Sequence, residues 1–224
     1  MRADAARRRA RIVEEARRLF AAQGGNVALE AVAEASGVGI ATLYRNFESR
    51  AALSDAVVLT ILGDLRVAAD EAVGELQGAG GEAGAAWERF VRRLVALDLG
   101  ALTAAFAEHA AQHLSDEVRE TQASTLSGVE EVLAAGREAH CVRGDVKALE
   151  LVVLVGTLTR PQPAAVLEAA PELPQRLVDV VLDGLRRGAD RGRLSSGLAQ
   201  TPPAGSASSV IDGLSRSRWR ASCR

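Results

Sequence analysis

The sequence is poor in aromatic residues, which make up 3% of its 224 positions. A core with few rings has to be built from Ala, Leu and Val, and such side chains favour close helix packing over strand pairing. The alternation of apolar and polar residues that is typical of β-strands is also missing. These absences predict an all-α protein.

Long apolar runs, a cysteine framework and catalytic motifs are missing as well. No stretch of about 18 apolar residues occurs without a charge, which argues against a membrane span, and no secretory signal follows the N-terminal arginines. Cys141 and Cys223 fit no metal spacing, and we expect no disulfide in a reducing compartment. Neither a nucleophile–base–acid set nor a phosphate-binding glycine loop is present. We therefore expect a cytoplasmic protein that is not an enzyme and needs no cofactor.

Charge is distributed unevenly behind a net value of −2. Residues 1–50 contain 9 Arg against 6 acidic residues, residues 51–190 have a net charge of −10, and residues 191–224 have a net charge of +5. The N-terminal segment, and not the acidic middle, is therefore suited to a polyanion. Four arginines there either contact phosphates or keep a helix face solvated: Arg7, Arg8, Arg9 and Arg11.

Apolar residues recur at helical spacing along most of the chain. The pattern predicts helices over residues 7–23, 28–35, 39–46, 48 to 74 or 78, 83–98, 101–112, 116–139, 146–158 and 172–188. Asn26 is a candidate cap for the second helix, and Ser115 is a candidate start for the helix over 116–139. Residues 195–215 are rich in Ser, Gly, Pro and Ala, which predicts a flexible tail.

Residues 28–46 show the helix-turn-helix pattern of two short helices joined by a turn that contains glycine. Ala33 lets the second helix approach closely, and Gly37 accepts the geometry of the turn. The side chains left outward on 39–46 are mostly polar and short enough for the helix to enter a major groove about 12 Å wide. The alternative is a helical adaptor whose helix-turn-helix packs on protein, but a polar outward face argues against it.

The segment from Leu29 to Phe47, followed by Glu48-Ser49-Arg50 and Leu53, resembles the DNA-binding domain of tetracycline-repressor (TetR) family regulators. The likeness covers roughly residues 8–60. It implies a homodimer that binds double-stranded operator DNA, most often as a repressor, and that a small molecule releases. Two positions depart from the family pattern: Ala28 stands where Ser or Thr often caps the second helix, and Arg50 stands where Lys is common.

The resemblance also implies which side chains contact DNA. Ile40 and Ala41 would face the bases. Thr42, Tyr44 and Arg45 would contact bases or phosphates, and Asn46 and Arg50 would hold the backbone.

The two C-terminal helices, 146–158 and 172–188, are apolar on nearly every side. A helix of that kind has to be covered on every side. The resemblance implies that these helices form a four-helix interface with a second copy, whereas the alternative is an ordinary monomer core. Two-fold symmetry would then require a near-palindromic operator.

A few rare side chains are candidates for the effector pocket, although at helical spacing such residues also serve as core. They are Trp87, Phe90, Phe106, His109 and His113. The two histidines lie four apart, as a metal pair would, but no third ligand is evident and we expect no metal. The predicted architecture is an N-terminal three-helix helix-turn-helix domain (1–55), joined by a long helix to a helical ligand-binding and dimerisation bundle (56–192), with a flexible tail (193–224).

Overall fold

The computed structural model describes residues 2–24, 26–97, 99–102 and 115–186. The helices bounded within these ranges are α1 (Arg2–Gln23), α2 (Leu29–Ala35), α3 (Ile40–Asn46), α4 (Arg50–Gly78), α5 (Ala83–Ala96), α6 (Asp116–Glu138), α7 (Ala148–Leu158), α8 (Ala164–Ala169) and α9 (Leu173–Arg186). A single 3-10 turn, Gly80–Glu82, precedes α5, and no strand occurs in these ranges. The predicted all-α class is confirmed.

Helix α1 begins five residues earlier than its apolar stripe predicts. Residues 2–6 have no apolar face, but they are rich in alanine, the best helix former. Asp4 lies in the first turn, where a negative charge is favourable, and it pairs with Arg7 one turn later. The helix ends as predicted at the glycines: Gly24 adopts a φ of 85°, and its N–H donates to the carbonyl of Phe20 at 2.9 Å.

The prediction that Asn26 caps α2 is wrong. The N-cap is Ala28, in an extended conformation, and no side chain there accepts a hydrogen bond. Because α2 begins at Leu29, Asn26 stands two residues outside the capping position. Packing, and not capping, must therefore hold the start of this short helix.

Helix α4 is the long connection that the sequence predicts, and it spans 29 residues, or about 44 Å. Ser49 is its N-cap and accepts a hydrogen bond from the N–H of Ala52 at 3.1 Å. The helix packs chiefly against α6 and also against α5 and α1. It therefore runs from the helix-turn-helix into the C-terminal bundle without a break.

Helix α6 crosses α4 closely because Gly128 has no side chain. A Cβ there would lie 3.3 Å from Cδ of Arg66, whose guanidinium donates to the carbonyl and the hydroxyl oxygen of Ser124, both at 3.2 Å. The predicted start of α6 is confirmed, since Ser115 accepts from the N–H of Val118 at 3.3 Å.

The C-terminal end of α6 reverses through a left-handed residue that is not glycine. His140 has a φ of 55°, its N–H donates to the carbonyl of Arg137 at 3.0 Å, and the next N–H, of Cys141, donates to Gly136 at 2.9 Å. This pair of bonds is the Schellman motif. The turn folds back tightly, because a Cβ on Gly136 would lie 2.9 Å from Cγ1 of Val142.

The remaining helices differ from prediction in length. Helix α5 ends at Ala96, α7 begins at Ala148, and α8 has only six residues, too few to show an apolar stripe in the sequence. Of the helix predicted over 101–112, residues 101 and 102 are helical, and so is residue 100 before them. The rest of that helix lies outside the described residues, as does the predicted tail. No described helix is long and apolar enough to cross a membrane.

The buried apolar residues form one continuous cluster that extends from Ile12 of α1 to Leu185 of α9. Most of its members are Ala, Val and Leu, as the shortage of rings predicts, and Trp87 is its largest fully buried side chain. The domain limits at 55 and 192 stay a prediction.

Candidate nucleic-acid interface

The turn between α2 and α3 is built around Gly37. Its φ is 63°, its N–H donates to the carbonyl of Glu34 at 2.9 Å, and the N–H of Val38 donates to Ala33 at 3.0 Å. This second Schellman motif needs a left-handed residue at its centre, which glycine adopts without strain. Ser36 is buried and satisfied, since its hydroxyl donates to the carbonyl of Val32 at 2.6 Å. The angle between α2 and α3 is thus fixed by backbone bonds.

Helix α3 is anchored on one side only. Leu43 is fully buried and Phe47, its C-cap, is nearly so, while Val32 of α2 is fully buried in the same core cluster. At 100° per residue, Ile40, Ala41, Tyr44 and Arg45 occupy an arc on the other side of the helix, and all four are exposed. Ile40 and Tyr44 keep 36% and 49% of their surface accessible, which is unusual for large apolar or aromatic groups.

Thr42 and Asn46 lie half-buried at the edge of this exposed arc. The side-chain amide of Asn46 donates to the carbonyl of Thr42 at 2.8 Å, one turn earlier. That bond fixes the amide on its own helix and leaves its second N–H and its oxygen for another partner. Arg50 is the first residue of α4 and is half-buried. The seven predicted DNA-contacting residues therefore lie within α3 and the first turn of α4.

The N-terminal arginines do not share one environment. Arg7 is paired with Asp4, whereas the guanidinium of Arg9 lies over the ring of Phe47, 4.7 Å from its centroid. The side chain of Arg11 reaches the turn between α2 and α3, because a Cβ added to Gly37 would lie only 3.2 Å from its Nη2. The sequence identified these arginines only as a group, and their order along α1 gives no sign of which one meets the end of α3.

The predicted effector residues lie only partly within the described chain. Trp87 and Phe90 are both buried on α5, with ring centroids 5.9 Å apart, whereas Phe106, His109 and His113 lie outside the described residues. The indole N–H of Trp87 is buried and has no hydrogen-bond acceptor among the described residues. Because nearly all buried donors are paired, this N–H is a place in the described part of the bundle where a further acceptor is expected.

Helices α7 and α9 leave apolar side chains in solvent. Leu149, Val153 and Leu154 of α7 are 54%, 46% and 39% exposed, and Val180 of α9 is 68% exposed. A groove of about 490 Å³ lies between the two helices, with Leu154 and Val180 among its walls. The sequence predicts that α7 and α9 are covered on every side. In the single chain, other helices cover them on one side only.

Ionisable side chains link α9 to α5 through hydrogen-bonded ion pairs. Glu88 accepts hydrogen bonds from Arg92 and Arg186, each at 2.9 Å, and Arg92 also donates to Asp179 at 2.9 Å. The bond from Arg92, followed by that from Arg186, lowers the pKa of Glu88 from its ordinary value. Burial raises the pKa of the Cys141 thiol, which keeps it protonated and unreactive. Within the described ranges, no group of three metal-ligating side chains occurs.

Comparisons with known proteins agree on the family. The sequence matches the model of bacterial regulatory proteins of the tetR family over residues 12–57, and the model described as "Transcriptional regulator SbtR-like, C-terminal domain" over residues 82–187. No curated protein matches it.

Solved structures of TetR-family regulators are also similar to this chain. A TetR transcriptional regulator from Streptomyces coelicolor is 26% identical, with a TM-score of 0.53, over 80% of this chain and 98% of that one. The TetR transcription regulatory protein from Mycobacterium vanbaalenii is 35% identical over 83% of this chain and 98% of that one, with a TM-score of 0.47.

The fold and the surface of α3 thus define a helix-turn-helix protein of the DNA-binding class. The chain belongs to the tetR family of bacterial transcription regulators. Because members of this family are DNA-binding transcription regulators, the alternative of a helical adaptor whose helix-turn-helix packs on protein is no longer needed.

Proposed function

We propose that this regulator is a repressor that binds a near-palindromic operator as a homodimer and leaves it when a small molecule binds. The observation that supports DNA recognition most directly is the exposed arc of α3, whose residues are not members of the buried core cluster. Leu43 and Phe47 hold the helix from behind, so its outer side is free to enter a major groove.

Within that arc, Arg45 is the residue we propose for base recognition. An arginine at this exposed position can donate two parallel hydrogen bonds to the O6 and N7 atoms of guanine. Ile40 and Ala41 would touch the edges or methyl groups of bases. Thr42 and Tyr44 would bind bases or phosphates through their hydroxyls.

Asn46 and Arg50 are proposed as backbone contacts. The free N–H of the Asn46 amide and the guanidinium of Arg50 are donors suited to phosphate oxygens. Contacts of this kind fix the register of the helix in the groove without specifying sequence.

Dimerisation is supported by the uncovered apolar side of α7 and α9. Large apolar side chains at neighbouring positions of two helices are exposed to water, which is unfavourable. Burying them against a matching surface would lower the free energy. A second copy brings the same surface under two-fold symmetry, which completes a four-helix interface. The same symmetry relates two α3 helices and calls for an operator with two related half-sites.

Effector binding is supported by the indole N–H of Trp87, which has no acceptor in the part of the chain that the structure describes. A buried donor without an acceptor costs on the order of 1–3 kcal/mol, and a ligand oxygen or nitrogen would remove that cost. Phe90 beside it would supply an apolar wall. Phe106, His109 and His113 remain candidates for the same pocket.

The proposal for DNA recognition is tested by selecting bound sequences from random duplexes with the purified full-length chain. We expect recovery of one motif with two inverted half-sites whose centres lie about 34–36 Å apart or a multiple of that distance. Recovery of no motif, with all duplexes bound alike, would refute operator recognition.

Effector binding is tested by fluorescence in a Trp219→Phe variant, in which Trp87 is the only remaining tryptophan. We expect that an effector from a small-molecule library changes the emission of Trp87 and lowers affinity for the selected duplex. A Trp87→Phe variant should bind the same compound more weakly, because it lacks the donor. A compound that binds tightly and leaves duplex affinity unchanged would refute ligand-controlled release.

A further inference from the structure

Arg9 is an N-terminal arginine that the structure brings to the end of the recognition helix. Its guanidinium lies 4.7 Å from the centre of the ring of Phe47, the residue that follows α3. The ring itself is almost completely buried, whereas Arg9 is exposed. The guanidinium therefore covers the ring from the solvent side, and the ring belongs to the residue that follows Asn46 in the sequence.

The contact between Arg9 and the ring does not use the hydrogen-bond donors of the guanidinium. The central carbon of the Arg9 guanidinium lies over the ring, and a cation–π contact of this kind leaves N–H donors available to a further partner. An arginine held against a ring is restricted in position, so it loses less entropy when its forked donors bind an anion. This arrangement suits a phosphate group, whose oxygens accept two parallel hydrogen bonds.

No carboxylate is bonded to Arg9 in the described part of the chain, although Glu14 lines the same surface pocket. Arg7 pairs with Asp4 and Arg18 pairs with Glu15, but no ion pair or hydrogen bond links Arg9 to a carboxylate there. Arg9 instead combines exposure with a fixed position and an unneutralised charge. Solvating a helix face, the other explanation for the N-terminal arginines, requires neither a fixed position nor a ring beneath the charge.

Arg9 also precedes the residues that the family comparison matches, which begin at residue 12. Its role is therefore not part of the pattern by which the helix-turn-helix is identified. Helix α1 places it there because the helix continues back to Arg2 and so passes the end of α3.

We propose that Arg9 is an additional DNA-contacting residue, which clamps one backbone phosphate beside the C-terminal end of α3 in each protomer. The proposal rests on operator binding by the helix-turn-helix. Because the contact is to phosphate, it adds affinity that is independent of sequence and sensitive to salt.

The test is the salt dependence of duplex affinity for the full-length protein and an Arg9→Met variant. Methionine still covers the ring of Phe47 but has no charge. Each phosphate contact adds about 0.9 to the slope of log affinity against log salt, so losing two per dimer should reduce that slope by about 1.8. Between about 50 and 200 mM salt, the variant should then lose about tenfold less affinity than the wild type. Its preference among sequences should stay unchanged.

Arg18→Ala is the matched control. Arg18 is also an exposed arginine of α1, but it lies nine residues further on and therefore on the opposite side of the helix. Its removal should leave the salt slope as in the wild type. An equal fall in slope for both variants would mean a general charge effect and would overturn the proposal.

An Arg9→Lys variant separates a phosphate contact from a structural role, because it keeps the charge but lacks the fork. We expect the wild-type slope, with affinity between those of the wild type and Arg9→Met.

If Arg9→Met keeps the wild-type slope, Arg9 only covers Phe47 and the proposal is wrong. The slopes are measured on a random-sequence duplex as well as on the selected one. Failure of operator recognition would appear as equal wild-type affinity for both duplexes, which is a different result.

Discussion

Arg45 and Arg50 are two arginines for which we expect different contributions to DNA binding. Arg45 is exposed on the outer arc of α3, whereas Arg50 begins α4 and is half-buried. Replacing Arg45 with Ala should relax sequence preference at one position of each half-site by about 1–3 kcal/mol. Replacing Arg50 with Ala should weaken binding to all duplexes alike.

Gel-shift titration at one fixed salt concentration distinguishes these outcomes. It compares the selected duplex with versions that each carry one base-pair change. If Arg45→Ala lost the same affinity on every duplex, Arg45 would be a phosphate contact and not a base-recognising residue.

Gly136 is a second residue whose replacement has a defined effect. A Cβ at this position would lie 2.9 Å from Cγ1 of Val142 and 3.6 Å from both the Cys141 sulfur and a ring carbon of Trp87. We expect Gly136→Ala to reduce the free energy of unfolding by about 1–3 kcal/mol through overpacking.

Urea unfolding at a fixed protein concentration measures this change, and Gly63→Ala provides the control. Gly63 lies within α4 with nothing within 4 Å of the added Cβ, so alanine there should stabilise the protein by up to about 1 kcal/mol. Two changes of the same sign would contradict the packing explanation.

At the scale of helices, the bonds between α5 and α9 depend on pH. Glu88 has a lowered pKa because Arg92 and then Arg186 hydrogen-bond to its charged form. A carboxylate whose pKa is lowered by folding stabilises the fold above its unfolded-state pKa, and that contribution is lost as the pH falls through the folded-state pKa. We therefore expect stability to fall more steeply in acid for the wild type than for Glu88→Gln.

Thermal unfolding of both proteins between neutral pH and about pH 3 measures this difference, in the range below the ordinary glutamate pKa of about 4.3. The other carboxylates are common to both proteins and cancel in the comparison. High salt should reduce the difference, because these side chains are near the surface. Parallel pH profiles would show that the α5–α9 bonds contribute nothing to stability.

The sequence predicted most helices because each has an apolar stripe, and it failed where other forces set the limits. Residues 2–6 are helical through alanine propensity, and α8 is too short to show a period. The cap at Asn26 was wrong because the helix starts beyond its reach. The exposed arc of α3 follows from periodicity, whereas the contact of Arg9 with Phe47 joins residues 38 positions apart and has no local signal.

For the whole molecule, the decisive quantity is the number of subunits. Val180 is 68% exposed, so a Val180→Glu substitution should leave the fold of one chain intact while placing a charge in the proposed dimer interface. We expect sedimentation to show a dimer for the wild type and a monomer for this variant. The monomer should also bind the selected duplex more weakly, because it engages one half-site at a time.

Val67→Glu is the control for that experiment. Val67 is 53% exposed on α4, outside the α7–α9 surface, so the same change there should leave the dimer unaffected. Dissociation by both variants, or a wild-type protein that sediments as a monomer, would remove the proposed interface.

The outward residues of α3 lie outside the buried core cluster that holds the helix in place. Its anchors are Leu43 and Phe47, its neighbouring turn is fixed by backbone bonds around Gly37, and neither α2 nor α3 has a side-chain cap at its start. Exchanges at positions 40, 41, 44 and 45 should therefore cost little folding energy. Such a scaffold can be retargeted, in the laboratory or by drift, to a new DNA sequence while its fold is inherited unchanged.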